Sequence, residues 1–185
     1  MNKVQTDNDE KYLKLKLKLR LDVVNKINSD NISVLDCFSG NGVLWETIKK
    51  LSDKKINVLR IEAKNTAKGI YLKGDNVKFL KNIDIHAFDI MDLDAYGIPD
   101  KQLEILFKRE YKGFVVVTAI QSMMGIMSNK ILNDLGYSKA MVRKVPTIFS
   151  KKGYKKISSW LANKGISEVY GKLDGLKNYF YFEVK

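Results

Sequence analysis

Short apolar runs alternate with amphipathic segments along most of the chain. Runs of hydrophobic residues between turn residues predict buried strands, which we place at 33–38, 57–62, 70–73, 87–93 and 113–119. Hydrophobic residues that recur every three or four positions predict helices, which we place at 43–51, 77–83, 98–108 and 153–164. Strands that alternate with helices predict an α/β fold with a doubly wound, mostly parallel sheet.

The first part of the chain, 1–31, is a basic segment whose pattern suits two conformations. Residues 12–21 alternate Leu with Lys or Arg, as in a strand with one leucine face. A helix would instead place Leu13, Leu17, Leu21 and Val24 on one face, and Leu and Lys are both good helix formers. We favour a helix that runs to about Asn28, where the turn residues 28–31 begin. This helix is expected to cover the first strand.

The last part of the chain completes the expected architecture. Ranges 166–173 and 179–184 predict an antiparallel hairpin, because they are rich in β-formers and flank a turn at Asp174 and Gly175. The sheet would then have seven strands. Range 120–150 is methionine-rich at first and then basic, and we expect helical pieces and a mobile loop there. The whole chain is expected to form one domain.

The hydrophobic pattern also predicts which side chains face the core. The helix at 43–51 is expected to bury Leu44, Ile48 and Leu51, and the helix at 153–164 to bury Ile157, Trp160 and Leu161. In the last strand, residues 179–182 are all aromatic, and one alternating pair of them is expected to face the core.

Charge is the strongest compositional feature. The formal net charge is +12, and residues 128–164 hold nine Lys or Arg side chains against the single carboxylate of Asp134. A basic surface of this kind predicts a polyanionic partner, and we favour nucleic acid. The excess of Lys over Arg leaves open a generally lysine-rich surface, because Arg is the preferred base reader.

Other compositional features concern the cellular setting. One cysteine and one histidine exclude an internal disulfide and make a metal site improbable. No apolar run is long enough to span a bilayer, and the polar start of the chain does not have the pattern of a secretory signal. We expect a cytoplasmic protein without a resident metal.

Polar residues follow the predicted strands at the points where those strands end. The first strand ends in Asp36 and is followed by a Gly40–Asn41–Gly42 turn and a helix start, where free N–H groups favour polar or anionic ligand groups. Glu62, Asp75 and Asp94 follow later strands. Because ligands bind at the carboxyl ends of parallel strands, these positions predict one site for a nucleotide-like ligand.

This arrangement resembles the class I S-adenosylmethionine-dependent methyltransferases over residues 33–185. The resemblance implies that Glu62 binds the ribose and that Asp75 lies beside the adenine of S-adenosylmethionine. It argues against a dehydrogenase, because Trp45 stands where a dinucleotide site has its third glycine. The remaining residues that the resemblance assigns to the cofactor are Asp36, Phe38, Ser39, Gly40, Asn41, Gly42 and Asp92.

Within that class, residues 88–99 are most similar to the catalytic domain of tRNA guanine-N2 dimethyltransferases. The resemblance implies that Asp94 is the catalytic acceptor for an amino group and that Tyr96 stacks on an extruded base. Ala95 stands where this family has proline, and the family's large C-terminal recognition domain has no counterpart here, so a protein partner is expected to supply specificity. The further residues assigned to substrate binding are Ala95, Gly97, Pro99, Lys130, Arg143 and Lys144.

The sequence therefore predicts a methyltransferase acting on an amino or ring nitrogen of a nucleic-acid base, with RNA favoured over DNA. Two alternatives stay open. One is a non-catalytic nucleic-acid-binding or regulatory protein with a degenerate methyltransferase fold. The other is a methyltransferase for small molecules or proteins, with an incidental positive charge.

Overall fold

The computed structural model describes residues 10–64, 69–120, 129–145, 153–173 and 175–185. The strands are β1 Asn31–Asp36, β2 Lys55–Glu62, β3 Leu72–Lys73, β4 Ile90–Asp94, β5 Gly113–Ile120, β6 Tyr170–Lys172 and β7 Lys177–Val184. The helices are α1 Glu10–Lys26, α2 Val43–Leu51, α3 Asn76–Asn82, α4 Asp100–Lys108, α5 Asn129–Asp134, α6 Lys139–Lys144 and α7 Gly153–Asn163. The predicted mobile loop falls partly on 121–128 and 146–152, which lie outside the described residues.

The seven strands form one sheet in the order β3-β2-β1-β4-β5-β7-β6. The pairs from β3 to β5 are parallel, whereas β7 is antiparallel to both β5 and β6. The predicted α/β class, the doubly wound sheet and the C-terminal antiparallel hairpin are confirmed. The order reverses beside β1, so the carboxyl ends of β1 and β4 form the topological switch point at which such sheets bind ligands.

Each face of the sheet is covered by its own hydrophobic cluster. Helices α1 and α2 cover one face through Leu19, Val23, Trp45 and Ile48. The other face packs against buried residues of α3, α4, α5 and α7. Because both faces are covered, both aromatic pairs of β7 are buried, and the prediction that one pair would face the core was too narrow. Tyr179 and Tyr181 join the first cluster, and Phe180 and Phe182 join the second.

The favoured helix over the N-terminal segment is confirmed as α1, and its predicted face is buried in part: Val24 is fully buried, and Leu17 and Leu21 are half-buried against the core. Leu13 is 38% exposed, whereas Leu19, Arg20 and Val23 are buried against the sheet. These residues recur at helical spacing, as the predicted leucine face does. The alternation of Leu and Lys gives the helix two competing faces, and contacts with the sheet select the one that contains Arg20.

Helix α2 has the predicted bounds but also buries a different set of side chains. Ile48 is buried as expected, whereas Leu51 is 59% exposed and Trp45 is almost fully buried. The indole of Trp45 both fills space between α2 and the sheet and donates a hydrogen bond into it, which Leu44 could not do. In α7, the predicted burial of Ile157, Trp160 and Leu161 is confirmed.

Two kinds of feature are absent from residues 10–64, 69–120, 129–145, 153–173 and 175–185. Within these ranges, no helix combines the length and apolarity that a membrane span requires. Among the same residues, no three His, Cys, Asp or Glu side chains are grouped so that they could hold a metal ion.

Candidate functional site

The loop after β1 has a backbone that depends on glycine. Gly40 and Gly42 have φ values of 48° and 76°, in the left-handed region. A Cβ on Gly42 would lie 2.6 Å from Cζ of Arg60, so a side chain there would displace the guanidinium as well as strain the backbone. A Cβ on Gly40 would meet no atom of the described residues within 4 Å. The loop therefore packs tightly on one side and leaves open space at Gly40.

Two charged side chains of β2 hold this loop. Oε2 of Glu62 accepts a hydrogen bond from the Gly40 N–H at 2.8 Å, and Oε1 accepts one from the Lys64 N–H at 2.9 Å. The Arg60 guanidinium donates to the Gly40 carbonyl at 2.9 Å. Glu62 was predicted from the sequence, whereas Arg60 was not. The rarity of arginine could have pointed to Arg60, because this lysine-rich chain has only four arginines.

Ser39 is the polar residue of the loop whose bonding needs are unmet. Its hydroxyl oxygen is buried and has no hydrogen-bond partner among the described residues. A buried hydroxyl without a partner costs free energy unless a ligand or water satisfies it. Its neighbours in the loop are Phe38, which packs on the core, and Asn41, which is exposed. An unpaired hydroxyl next to open space at Gly40 fits a ligand that carries polar groups.

The start of α3 lies at the same end of the sheet. Asp75 is the N-cap of α3, where its Oδ1 accepts from the Val77 N–H at 2.9 Å. The next residue, Asn76, is buried and donates to the Cys37 carbonyl at 2.7 Å, and Gln102 of α4 donates to Asn76. Asn76 thus fixes the peptide that opens the glycine loop. No sequence pattern pointed to Asn76, because an Asn at a helix start usually reflects capping alone.

Three aspartates gather on the α1 side of β1 and β4. The parallel register places Asp36 opposite Asp92, and Asp94 follows two residues later on the same face. Like charges this close repel each other, and burial deprives them of water. Cations must therefore be supplied from elsewhere, and they come from α1.

Arg20 of α1 enters this acidic group as a buried side chain. Its Nε and a terminal nitrogen each lie 2.7 Å from an oxygen of Asp92, in a bidentate pair. The indole N–H of Trp45 donates to the same carboxylate at 2.6 Å. Asp92 is fully buried, so both its oxygens are engaged within the protein. This placement gives Asp92 a role in joining α1, α2 and β4.

Lys16, one turn earlier on α1, reaches Asp94. Its Nζ lies 2.8 Å from Oδ1 and 2.9 Å from Oδ2 of Asp94, and Arg20 approaches Oδ2 at 4.0 Å. Both side chains are partly exposed, at 17% for Lys16 and 14% for Asp94. Asp94 is therefore a carboxylate at the edge of the buried network, in contact with solvent and with a cation.

The pKa values of the three carboxyl groups diverge. Burial and the adjacent Asp92 raise the pKa of Asp36 well above its ordinary value. Burial also raises the pKa of Asp92, although Arg20 opposes this. For Asp94, burial acts in the same direction but is outweighed by Arg20 and Lys16, so its pKa is lowered. Asp94 is thus the ionised acceptor of the group, and Asp36 is the one that most readily holds a proton.

Replacing Asp36 with asparagine is expected to stabilise the protein, and the gain should grow with pH. A folded-state pKa above the unfolded value means that stability falls as pH rises between the two. The advantage of the variant over the wild type in free energy of unfolding should grow by about 1.4 kcal/mol per pH unit. This applies over the pH range in which the carboxyl is ionised in the unfolded state but protonated in the folded state. Urea denaturation at pH 4, 6 and 8 would measure it, and an equal effect at all three would contradict the burial argument.

The residues that follow Asp94 form a tight turn at the rim. The Ala95 N–H donates to the Leu93 carbonyl at 2.8 Å, and the Gly97 carbonyl accepts from Ile120 at 2.9 Å. Tyr96 is 53% exposed, with its ring at the surface. Pro99 is buried and is the N-cap of α4. The turn therefore places an exposed aromatic residue two positions after Asp94.

The three basic residues predicted to bind substrate lie elsewhere. Lys130 of α5 pairs with Glu104 of α4 at 2.6 Å. Arg143 and Lys144 are exposed in the last turn of α6, which packs against α5. Helices α4 and α5 belong to the face of the sheet opposite α1. The structure does not bring these side chains into contact with Asp94.

No family model matches the chain, and no curated protein is significantly similar to it in sequence. Solved structures do share its fold. A candidate S-adenosylmethionine-dependent methyltransferase from Methanococcus maripaludis has a TM-score of 0.50 at 13% identity, over 99% of this chain and 96% of its own. A candidate rRNA methylase from Clostridium thermocellum has a TM-score of 0.53 at 12% identity, over 91% and 94%.

A third similar structure contains a bound ligand. CalO1, a methyltransferase of calicheamicin biosynthesis in its S-adenosylhomocysteine-bound form, has a TM-score of 0.51 at 13% identity, over 94% of this chain and 54% of its own. The proteins that share the fold thus differ in their substrates, so the fold leaves the substrate class open. Together with the strand order, these similarities show that the chain has the class I methyltransferase fold.

Proposed function

We propose that this protein is an S-adenosylmethionine-dependent methyltransferase that acts on an amino or ring nitrogen of a nucleic-acid base, with RNA favoured over DNA. The observation that carries the proposal is the row of polar groups at the switch point of a class I methyltransferase fold. The glycine loop and Glu62 stand at one end of this row, and Asp94 with Tyr96 stands at the other.

The cofactor end of the row fits an adenosine that bears a methionine. Open space at Gly40 lets a ligand approach the backbone, and the unpartnered Ser39 hydroxyl can bind a polar group of the methionine part. Glu62 retains lone pairs for ribose hydroxyls, and Asp75 is exposed at the start of α3. Asp36 and Asp92 act behind this surface as positioning residues, since both are buried.

The substrate end fits a planar base with an N–H group. Bound S-adenosylmethionine would supply a methyl group on an activated sulfonium, so the protein contributes mainly orientation. Asp94 would accept a hydrogen bond from the base nitrogen and hold its lone pair toward the methyl group. As the N–CH3 bond forms and the S–CH3 bond breaks, the cofactor would leave as a neutral thioether and positive charge would develop on the base nitrogen. The ionised Asp94 carboxylate would stabilise that charge and then accept the proton from the nitrogen. Tyr96 offers its ring for stacking.

Transfer of labelled methyl groups to total RNA, genomic DNA and protein tests the proposal. Label in RNA nucleosides modified at nitrogen is the expected result. Label confined to protein or small molecules would contradict the substrate class. No transfer to any of them, together with no thermal stabilisation by S-adenosylmethionine, would favour the non-catalytic alternative.

Replacing Lys16 with methionine is expected to move the acidic limb of methyl transfer to higher pH. Asp94 is faced by Lys16 and Arg20 as cations, by Asp92 as an anion and by the Thr118 hydroxyl. Loss of Lys16 removes one of the two groups that lower its pKa, so the carboxylate is protonated at higher pH. Profiles of kcat/KM against pH measure the shift. Lys16→Arg should restore the original limb, and an unmoved limb in Lys16→Met would contradict this role.

A further inference from the structure

Tyr12 of α1 lies at the meeting point of α1 and the C-terminal hairpin. Its half-buried ring packs on Tyr179 of β7, with centroids 5.4 Å apart and planes tilted by 30°. Nζ of Lys177 lies 4.7 Å from the Tyr12 ring centroid, and Nζ of Lys172 lies 5.8 Å from it. Two cations from the hairpin thus converge on one aromatic ring of α1.

The strand register explains why both lysines reach the same ring. Lys172 of β6 is directly opposite Tyr179 of β7, and directly opposed residues share a face. Lys177 lies two residues before Tyr179, so it also points to that face. The hairpin therefore presents both ammonium groups on the side of the sheet that α1 covers.

This group of residues is continuous with the proposed catalytic carboxylate. Nζ of Lys16 lies 5.9 Å from the Tyr179 ring centroid and also contacts Asp94. The Lys16 side chain thus connects the Tyr12–Tyr179 pair to Asp94. We name Tyr12, Lys16, Lys172 and Lys177 the Tyr12 cluster.

We propose that the Tyr12 cluster binds the backbone phosphates of nucleotides that flank the target base in a single-stranded nucleic acid. This inference rests on the proposed function, and it specifies how the substrate reaches Asp94. The ammonium groups of Lys172 and Lys177 concentrate positive charge on the α1 side of the sheet, next to Lys16, which pairs with Asp94. We expect the chain on either side of an extruded base to pass there. Lysine suits this task because it contacts phosphates as a point charge without reading sequence.

An exposed aromatic ring next to Asp94 is a second element typical of single-strand binding. Proteins that bind single strands combine a basic track with rings on which bases stack. Tyr96, which is 53% exposed at the rim of the Asp94 turn, supplies such a ring, whereas the Tyr12 ring already contacts Tyr179 and Lys177 within the cluster. A flat duplex-binding surface needs no such ring.

The cluster is also better placed for this role than the basic segment selected from the sequence. Helices α5 and α6 pack on the opposite face of the sheet. The side chain of Asp94 faces α1, where the Tyr12 cluster lies. We therefore expect the strand to cross the α1 side of the protein.

The test is binding of a short single-stranded RNA by the full chain, measured by fluorescence anisotropy over a range of salt concentrations. Lys172→Glu/Lys177→Glu is expected to lower affinity by at least ~10-fold and to reduce the slope of log K against log salt by about 0.7 per lost contact. The control is Lys50→Glu/Lys55→Glu, which reverses two exposed charges at the end of α2 and the start of β2. It should bind as the wild type does.

Each other outcome has a distinct meaning. If wild-type protein binds RNA and Lys172→Glu/Lys177→Glu binds equally with the same slope, the Tyr12 cluster inference is wrong while the proposed function stands. The same holds if Arg143→Glu/Lys144→Glu alone weakens binding. If wild-type protein binds neither RNA nor DNA of the same sequence at low salt, the nucleic-acid substrate is also wrong.

A second pair of substitutions separates binding from folding. Loss of two cation–π contacts can loosen α1, so thermal melting is recorded for each variant. Lys172→Gln/Lys177→Gln removes charge without introducing repulsion. It should melt near the wild-type temperature and still show a smaller salt slope. An unchanged slope in a folded glutamine variant would overturn the inference.

Discussion

Asp94→Asn is expected to reduce kcat of methyl transfer by about 10²- to 10⁴-fold, which is the range for a group that orients a nucleophile and stabilises its developing charge. The amide keeps the shape of the carboxylate and can still accept a hydrogen bond. It does not carry the negative charge that offsets positive charge on the reacting nitrogen. Since Asp94 lies outside the glycine loop, affinity for S-adenosylmethionine should change little.

Two measurements separate this effect from a general defect. Single-turnover transfer to the substrate identified by labelling reports the chemical step, and calorimetry with S-adenosylmethionine reports cofactor binding. Asp100→Asn is the matched control, because Asp100 is a carboxylate in the first turn of α4. A kcat for Asp94→Asn within a few-fold of the control would exclude Asp94 as the acceptor.

Arg20→Met is expected to lower the free energy of unfolding by about 3–5 kcal/mol, the usual cost of removing one partner of a buried ion pair. Asp92 is fully buried, so its carboxylate would keep the Trp45 hydrogen bond but have no cation. The pKa values of Asp92 and Asp36 would rise further. Carboxyl groups whose folded-state pKa is raised destabilise the folded protein increasingly as pH rises. The difference in free energy of unfolding between Arg20→Met and the wild type should therefore be smallest near pH 4 and largest above neutrality.

A second substitution tests whether the missing charge pair causes this loss. Arg20→Met/Asp92→Asn removes both charges and keeps an acceptor for Trp45. It should recover at least half of the lost stability, because replacing both partners of a buried pair is often nearly neutral. Urea denaturation of the wild type, both single variants and the double variant gives the coupling energy. Strict additivity would mean that the pairing of Arg20 with Asp92 does not contribute to stability.

The hydrophobic pattern was sufficient to predict the sheet and most helices. Strands β1, β2 and β5 begin and end within two residues of the predictions. In a doubly wound fold, an uninterrupted apolar run is typical of a parallel strand that is buried on both faces. The bounds of α2 were correct, since its helical period is framed by a glycine and a serine. Strand β4 begins later than expected because Asp84 caps a short 3₁₀ turn at Ile85–Ala87.

The charged interior was beyond sequence reasoning. Lys16 and Arg20 read as solvent-facing members of a basic helix, and their partners Asp92 and Asp94 are more than seventy positions away. Helical periodicity identifies the two possible buried faces of a helix. It does not identify the distant carboxylates that pair with the residues of one face. In the same way, spacing placed Asp75 at the site but did not show that it caps α3.

Helix α1 has a consequence for the order in which the molecule is built. It is synthesised before all of its partners, yet Arg20 pairs with a residue of β4 and Tyr12 packs on β7 near the other end of the chain. Contacts of such long range are slow to form, because loop closure must precede them. The glycine loop can form as soon as β1 and β2 pair. The environment of Asp94 is complete only when the final hairpin has closed, so competence for catalysis should emerge as one of the last events of folding.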